Sequence, residues 1–117
     1  MTRKDQLELL ITDLREMVAL IERDPSCRWI AKFRIDMANA GQLAATSFDQ
    51  DDLANLSSSI RSVYGGMGSF NDYLPARYDP ITGRCVSFPW ADQFDRLRTS
   101  VFDRALVLVV SSQRDCK

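Results

Sequence analysis

Histidine is absent from the 117 residues. The chain therefore lacks the side chain that most often moves protons at neutral pH and most often ligates metals, and no Ser-His-Asp or Cys-His mechanism is open to it. Cysteine is scarce: Cys27, Cys85 and Cys116 are an odd number at long, irregular spacing, which suits neither a disulfide framework nor a zinc site and points to a reducing, cytoplasmic setting. An excess of one charge is missing too. Fifteen basic residues stand against 16 acidic ones, for a net charge of −1, so nothing drives general attraction to a phosphate backbone. Met1 to Asp5 is polar and leads into a segment bearing Glu8, Asp13 and Glu16, so the start reads as neither a signal peptide nor a membrane span. Internal repeats, low-complexity tracts and linkers are also absent.

What is present is a 45% hydrophobic, 26% charged chain, the composition of an ordinary soluble globular domain spanning residues 1–117. A chain of this size buries roughly two-thirds of its unfolded surface on folding, enough for one core. Leu10, Ile11, Leu14, Met17, Val18 and Ile21 recur at three- and four-residue steps, which predicts a helix from about Thr2 to Arg23. Leu9 and Leu20 lie off that stripe and suggest a second contact line, potentially a dimer surface. Asp24 and Pro25 have the form of an N-cap and first-turn proline for a second helix carrying Trp29, Ile30, Phe33, Met37 and Ala40 inward, with Gly41 placed to end it. Ser47 or Asp49 can cap a third, with Leu53, Leu56, Ile60, Val63 and Tyr64 at helical spacing and Gly65 and Gly66 stopping it.

Regular periodicity is lost from Met67 to Phe88, where Pro75, Pro80 and Gly83 punctuate an irregular loop. Within it, the run from Asp79 to Gly83 has proline and glycine where a turn uses them, so Ala76–Tyr78 can pair with Arg84–Val86 as a small hairpin. Phe88 and Pro89 lead into a last helix with Trp90, Phe94, Leu97, Val101, Ala105 and Leu108 on one face and Asp92, Asp95, Arg96 and Arg98 on the other. The apolar run Ala105–Val110 fits helix or strand, and continuity with the preceding period favours helix. The expected fold is mainly α: a single-domain bundle of about four helices with an irregular loop or small hairpin before the last.

The least generic segment is Val63, Tyr64, Gly65, Gly66, Met67, Gly68, Ser69, Phe70, Asn71, Asp72, Tyr73. It lacks the lysine and Ser/Thr of a phosphate-binding loop. It reads as a helix end followed by a tight turn that buries Phe70, with Ser69, Asn71 and Asp72 bonding exposed backbone groups. This run, following a helix that ends in Ile60, Arg61, Ser62, Val63, Tyr64 and preceded by a tryptophan-bearing helix, resembles a family of small bacterial helical proteins. Some proteins of this kind look like immunity proteins of contact-dependent growth inhibition and related polymorphic toxin systems. The resemblance covers Trp29 to Tyr73 and implies a protein without enzymatic activity that binds one cognate toxin C-terminal domain.

Local charge agrees with such a role. From Ala44 to Asp79, Asp49, Asp51, Asp52, Asp72 and Asp79 face only Arg61 and Arg77, a net −3. An acidic face suits a basic nuclease cleft, although Asp49–Asp52 equally suit a helix N-terminus. Tyrosine, tryptophan and arginine supply most interface hot spots, and the irregular segment carries several. The expected partner-binding face comprises Asp49, Asp51, Asp52, Asn71, Asp72, Tyr73, Arg77 and Tyr78, on a monomer or weak dimer with no cofactor, metal ion, nucleic acid or membrane as partner. Two alternatives compete: an enzyme using Asp72, Asp79, Tyr64 and Tyr73 as pocket groups, and a helical DNA-binding regulator using Arg96, Arg98 and Arg104. Asp92, Asp95 and Asp103 sit at pairing distance from those arginines along the helix and argue against a phosphate track.

Overall fold

In the computed structural model, residues 1–115 are described, with side chains through Val109. Cys116 and the side chain of Val110 lie outside these. Helix α1 (Arg3–Ile21) starts at a capping box: Thr2 Oγ1 accepts from Asp5 N–H, and the Asp5 carboxylate accepts from Thr2 N–H. Its apolar stripe is buried from Leu7 to Ile21. Leu20 belongs to that core and Leu9 is half-buried, so the two residues do not form an outward line for a dimer.

Helix α2 (Ile30–Ala45) departs from expectation at both ends. Asp24 and Pro25 do not start it, because the Asp24 carboxylate is taken by Ser26, whose N–H and hydroxyl donate at 3.1 and 2.7 Å, and by Tyr73. Gly41 does not stop it, and the alanine-rich end continues to Ala45. Helix α3 (Gln50–Arg61) opens on a capping box between Asp49 and Asp52 and ends before Val63 and Tyr64, which pack against the core from the turn that follows. A short 3₁₀ turn (Phe70–Asp72) leads to an antiparallel hairpin, β1 (Ala76–Asp79) with β2 (Arg84–Ser87), and to α4 (Ala91–Asp115). The apolar run from Ala105 is helical.

The four helices run alternately up and down. Arg3 at the start of α1 donates to Gln50 Oε1 at 2.6 Å and to Val107 O at 3.4 Å, so the beginnings of α1 and α3 share one end with the later turns of α4. Midway, Arg104 pairs with Asp13 at 2.6 Å. The opposite end holds the α1–α2 link, the glycine run and the hairpin, tied together where Tyr73 OH donates to Asp24. Between α2 and α3 lies an ion pair with a buried carboxylate and a half-buried ammonium: Lys32 Nζ is 2.7 Å from Asp36 Oδ2 and donates to Ser59 O, while Ser59 Oγ donates to Asp36 Oδ1. No other donor among the described residues is aimed at Asp36 Oδ2, so the ammonium alone balances it.

Phe70, fully buried, is the hub where the turn closes the bundle. Its ring lies 4.6 Å from Phe33, 5.5 Å from Tyr64, 5.6 Å from Phe94, 5.9 Å from Trp29 and 6.1 Å from Tyr73. Burying one such aromatic ring stabilises the fold by roughly 1.5–3 kcal/mol, and edge-to-face contacts add to that. The radius of gyration, 15.8 Å, exceeds the roughly 13.4 Å of a compact chain of this length, because the hairpin projects at one end and α4 overhangs at the other.

Candidate functional site

The end of the bundle formed by the α3–α4 connection carries the unusual chemistry. After α3, Phe70 N–H donates to Val63 O at 2.8 Å and folds the loop back on itself. Gly68 alone in the run has a left-handed backbone, with φ +80°, so the steric freedom that the run was expected to place at Gly65 and Gly66 is used three residues beyond Gly65. Asp72 accepts from Gly68 N–H at 2.6 Å, Asn71 Nδ2 donates to Gly65 O at 3.3 Å, and Ser69 Oγ accepts from Asn71 N–H. These polar side chains hold the turn itself.

Arg98 fastens that turn to α4. Its guanidinium donates to Phe70 O at 3.0 Å and Tyr73 O at 2.8 Å, pairs with Asp95, and lies over the Phe94 ring. Beside it, Tyr73 OH donates to the buried Asp24 carboxylate at 2.6 Å. Burial raises the Asp24 pKa, but the hydrogen bonds from Tyr73 and Ser26 together outweigh burial and leave it below the ordinary value. Burial, reinforced by that carboxylate, pushes the Tyr73 phenol well up, so it remains a donor at every ordinary pH.

The hairpin is built differently. Gly83 (φ +72°) closes its turn, with Gly83 N–H donating to Asp79 O, and the Asp79 carboxylate accepts from Ile81 N–H and Thr82 OH. All of β2 is exposed, and the strands touch the helices little. Leu74 (73% exposed), Tyr78 (64%), Ile81 (93%) and Val86 (42%) gather here, and Met67 is fully exposed nearby. Arg77 and Arg84 are exposed and make no ion pair among the described residues. Cys85 is an exposed free thiol, whereas Cys27 is buried.

The eight residues expected to share one face are divided between the two ends. Asp49, Asp51 and Asp52 sit at the start of α3, about 18 Å along its twelve residues from the glycine run, and the carboxylates of Asp49 and Asp52 cap the helix. Asn71 and Asp72 brace the turn, Tyr73 points inward to Asp24, and Arg77 and Tyr78 alone stand free on the hairpin. Leu74, Ile81 and Val86 belong with those two but were not singled out; alternation around a turn was the available signal. Nothing local marked the pairing of Asp24 with Tyr73, 49 residues apart.

The residues of the competing readings are likewise engaged. Tyr64 OH donates to Arg98 O and Tyr73 OH to Asp24, while the Asp72 and Asp79 carboxylates each accept from N–H groups of their own turn, so these four do not converge on one pocket. Arg98 is half-buried in carbonyl oxygens and Arg104 is paired with Asp13, leaving Arg96 of the three exposed. No group of His, Cys, Asp and Glu among the described residues is arranged to hold a metal ion, and no described helix is long and apolar enough to cross a membrane.

Residues 22–79 match the model of a family described as a domain of unknown function (DUF6966). The matched stretch begins just after α1 and ends with β1, so it contains Asp24, the glycine run, Phe70 and Tyr73, and excludes α4 with its Arg98. Neither the curated proteins nor the solved structures compared with the chain give a match.

Proposed function

We propose that this protein is a non-catalytic immunity protein that binds and neutralises a cognate bacterial toxin domain in the cytoplasm by direct contact. One observation carries the reading: the exposed hairpin and its approach, which concentrate Leu74, Tyr78, Ile81 and Val86 with two arginines that make no ion pair among the described residues, on a small structure that the bundle covers little. A two-stranded hairpin is marginal by itself, and clustered exposed apolar groups mark interaction surfaces. Tyrosine and arginine are the side chains that anchor interfaces. The contact face therefore centres on Arg77 and Tyr78, with Asn71 and Asp72 at its margin, and Asp51 and its neighbours form a separate acidic patch at the other end. Asp49, Asp52 and Tyr73 contribute through the fold.

The test is survival of bacteria in which the toxin domain encoded beside this protein is induced, with and without it, followed by co-purification. Rescue together with a stable complex supports the reading. A harmless neighbour, or rescue without association, defeats it.

A further inference from the structure

We propose that the free edge of β2 accepts an extended, acid-bearing segment of the partner protein as a third strand; this rests on the partner-binding reading above and specifies how contact is made. Phe88 N–H donates to Pro75 O at 2.8 Å, extending by one pair the register that sets Arg77 opposite Val86 and Asp79 opposite Arg84. Bonded and non-bonded pairs alternate along an antiparallel ladder. Arg77–Val86 and Asp79–Arg84 are therefore the bonded pairs, and Cys85 and Ser87 turn their backbone N–H and C=O groups away from β1. No hydrogen bond from a described residue meets those groups. Every residue of β2 is exposed, whereas the β1 edge is flanked by half-buried Ala76 and Asp79.

Native sheets guard such an edge with charge, proline or a covering element. Cys85 and Ser87 supply neither charge nor proline, and among the described residues no helix packs extensively over the strand. The two faces of the hairpin say what an added strand carries. Directly opposed residues share a face, so Arg84, Val86 and Arg77 lie together, and the only acid among them, Asp79, is committed to the turn. Tyr78 lies with Cys85 on the other face. A segment alternating acidic with apolar residues would set carboxylates beside Arg84 and apolar groups on the Tyr78 face. Pairing with a second copy would instead bring Arg77 and Arg84 of both molecules onto one face, like charges side by side, which disfavours that occupant. Strand addition of this kind takes affinity from the backbone and selectivity from alternate side chains.

The test uses the whole protein and two capped octapeptides, one alternating valine with glutamate and one alternating valine with lysine. The glutamate peptide should bind at least tenfold more tightly and should slow hydrogen exchange at the Cys85 and Ser87 amides. Cys85→Pro removes an N–H that the hairpin ladder does not use, and proline is tolerated at such edge positions, so it should abolish peptide binding with the thermal midpoint unchanged; Cys85→Ser should bind as the wild type does. Failure of the glutamate peptide to bind, equal binding of both, or binding that leaves the two amides unprotected would overturn the proposal. A wild-type dimer that Cys85→Pro converts to monomer would give the edge to a second copy and also overturn it. If the wild type captures the toxin domain and folded Cys85→Pro does so equally well, strand addition is wrong and the partner reading stands; if the wild type captures nothing, the partner reading itself fails.

Discussion

Tyr73 shows how a residue of interface type can be spent on the interior. Its ring stacks near Phe70 and Phe94 while its hydroxyl satisfies Asp24, a carboxylate only 3% exposed. Tyr73→Phe keeps the ring and removes the donor, so it should destabilise the protein by about 1–3 kcal/mol in chemical denaturation. The pH dependence follows with its sign. The folded-state pKa of Asp24 lies below its ordinary value of 3.8, so its contribution is complete above that value and is lost as pH falls through the lower, folded-state value. Tyr73→Phe should lose less stability than the wild type over that acidic interval. An unchanged denaturation midpoint at pH 7 and an unchanged acid limb would show that the hydroxyl does nothing for the fold.

At the scale of the elements, the start of α3 and the α2–α3 contact make separable predictions. Asp49→Ala removes the acceptor of a capping box and should cost about 1 kcal/mol, whereas exposed Asp51→Ala should change stability by only a few tenths. Lys32→Met strands the Asp36 carboxylate in the interior and should cost roughly 3 kcal/mol, the scale for breaking a buried pair; a change under about 1 kcal/mol would mean that Ser59 alone satisfies it. The helices themselves were legible because Leu7 to Ile21 and Leu53 to Ile60 repeat at helical spacing, and Asp49 has the form of a cap. The start of α2 was not, since whether an aspartate caps a helix or binds a distant tyrosine depends on where the chain returns 49 residues later. The hairpin was legible as one of two outcomes, and the proline and Gly83 of its turn were the deciding local features. Arg98 was assigned to the charged face of α4 because periodicity gives direction around the helix but not the carbonyl oxygens of another segment waiting there.

For the whole molecule, alternating up-and-down topology decides what the candidate residues can do together. It sends Asp49–Asp52 to one end and the Asn71–Tyr78 segment to the other, a division invisible in a charge count along the chain, where both fall within one acidic stretch. What remains free at the hairpin end is apolar and basic, with Arg77 and Arg84 around Val86, so the contact expected there is with acidic groups of a partner. In the proposed complex, the acidic patch at the far end would speed encounter from outside the interface. The measurement closest to this account is the dissociation constant of the proposed complex with a toxin domain encoded beside this protein, for the wild type and for the Tyr78→Ala, Ile81→Ser variant, taken alongside the thermal midpoint of each free protein. A loss of at least about thirtyfold, the size of one hot spot of roughly 2 kcal/mol, with the midpoint unchanged is the predicted result; unchanged affinity, or a loss matched by unfolding, would contradict it.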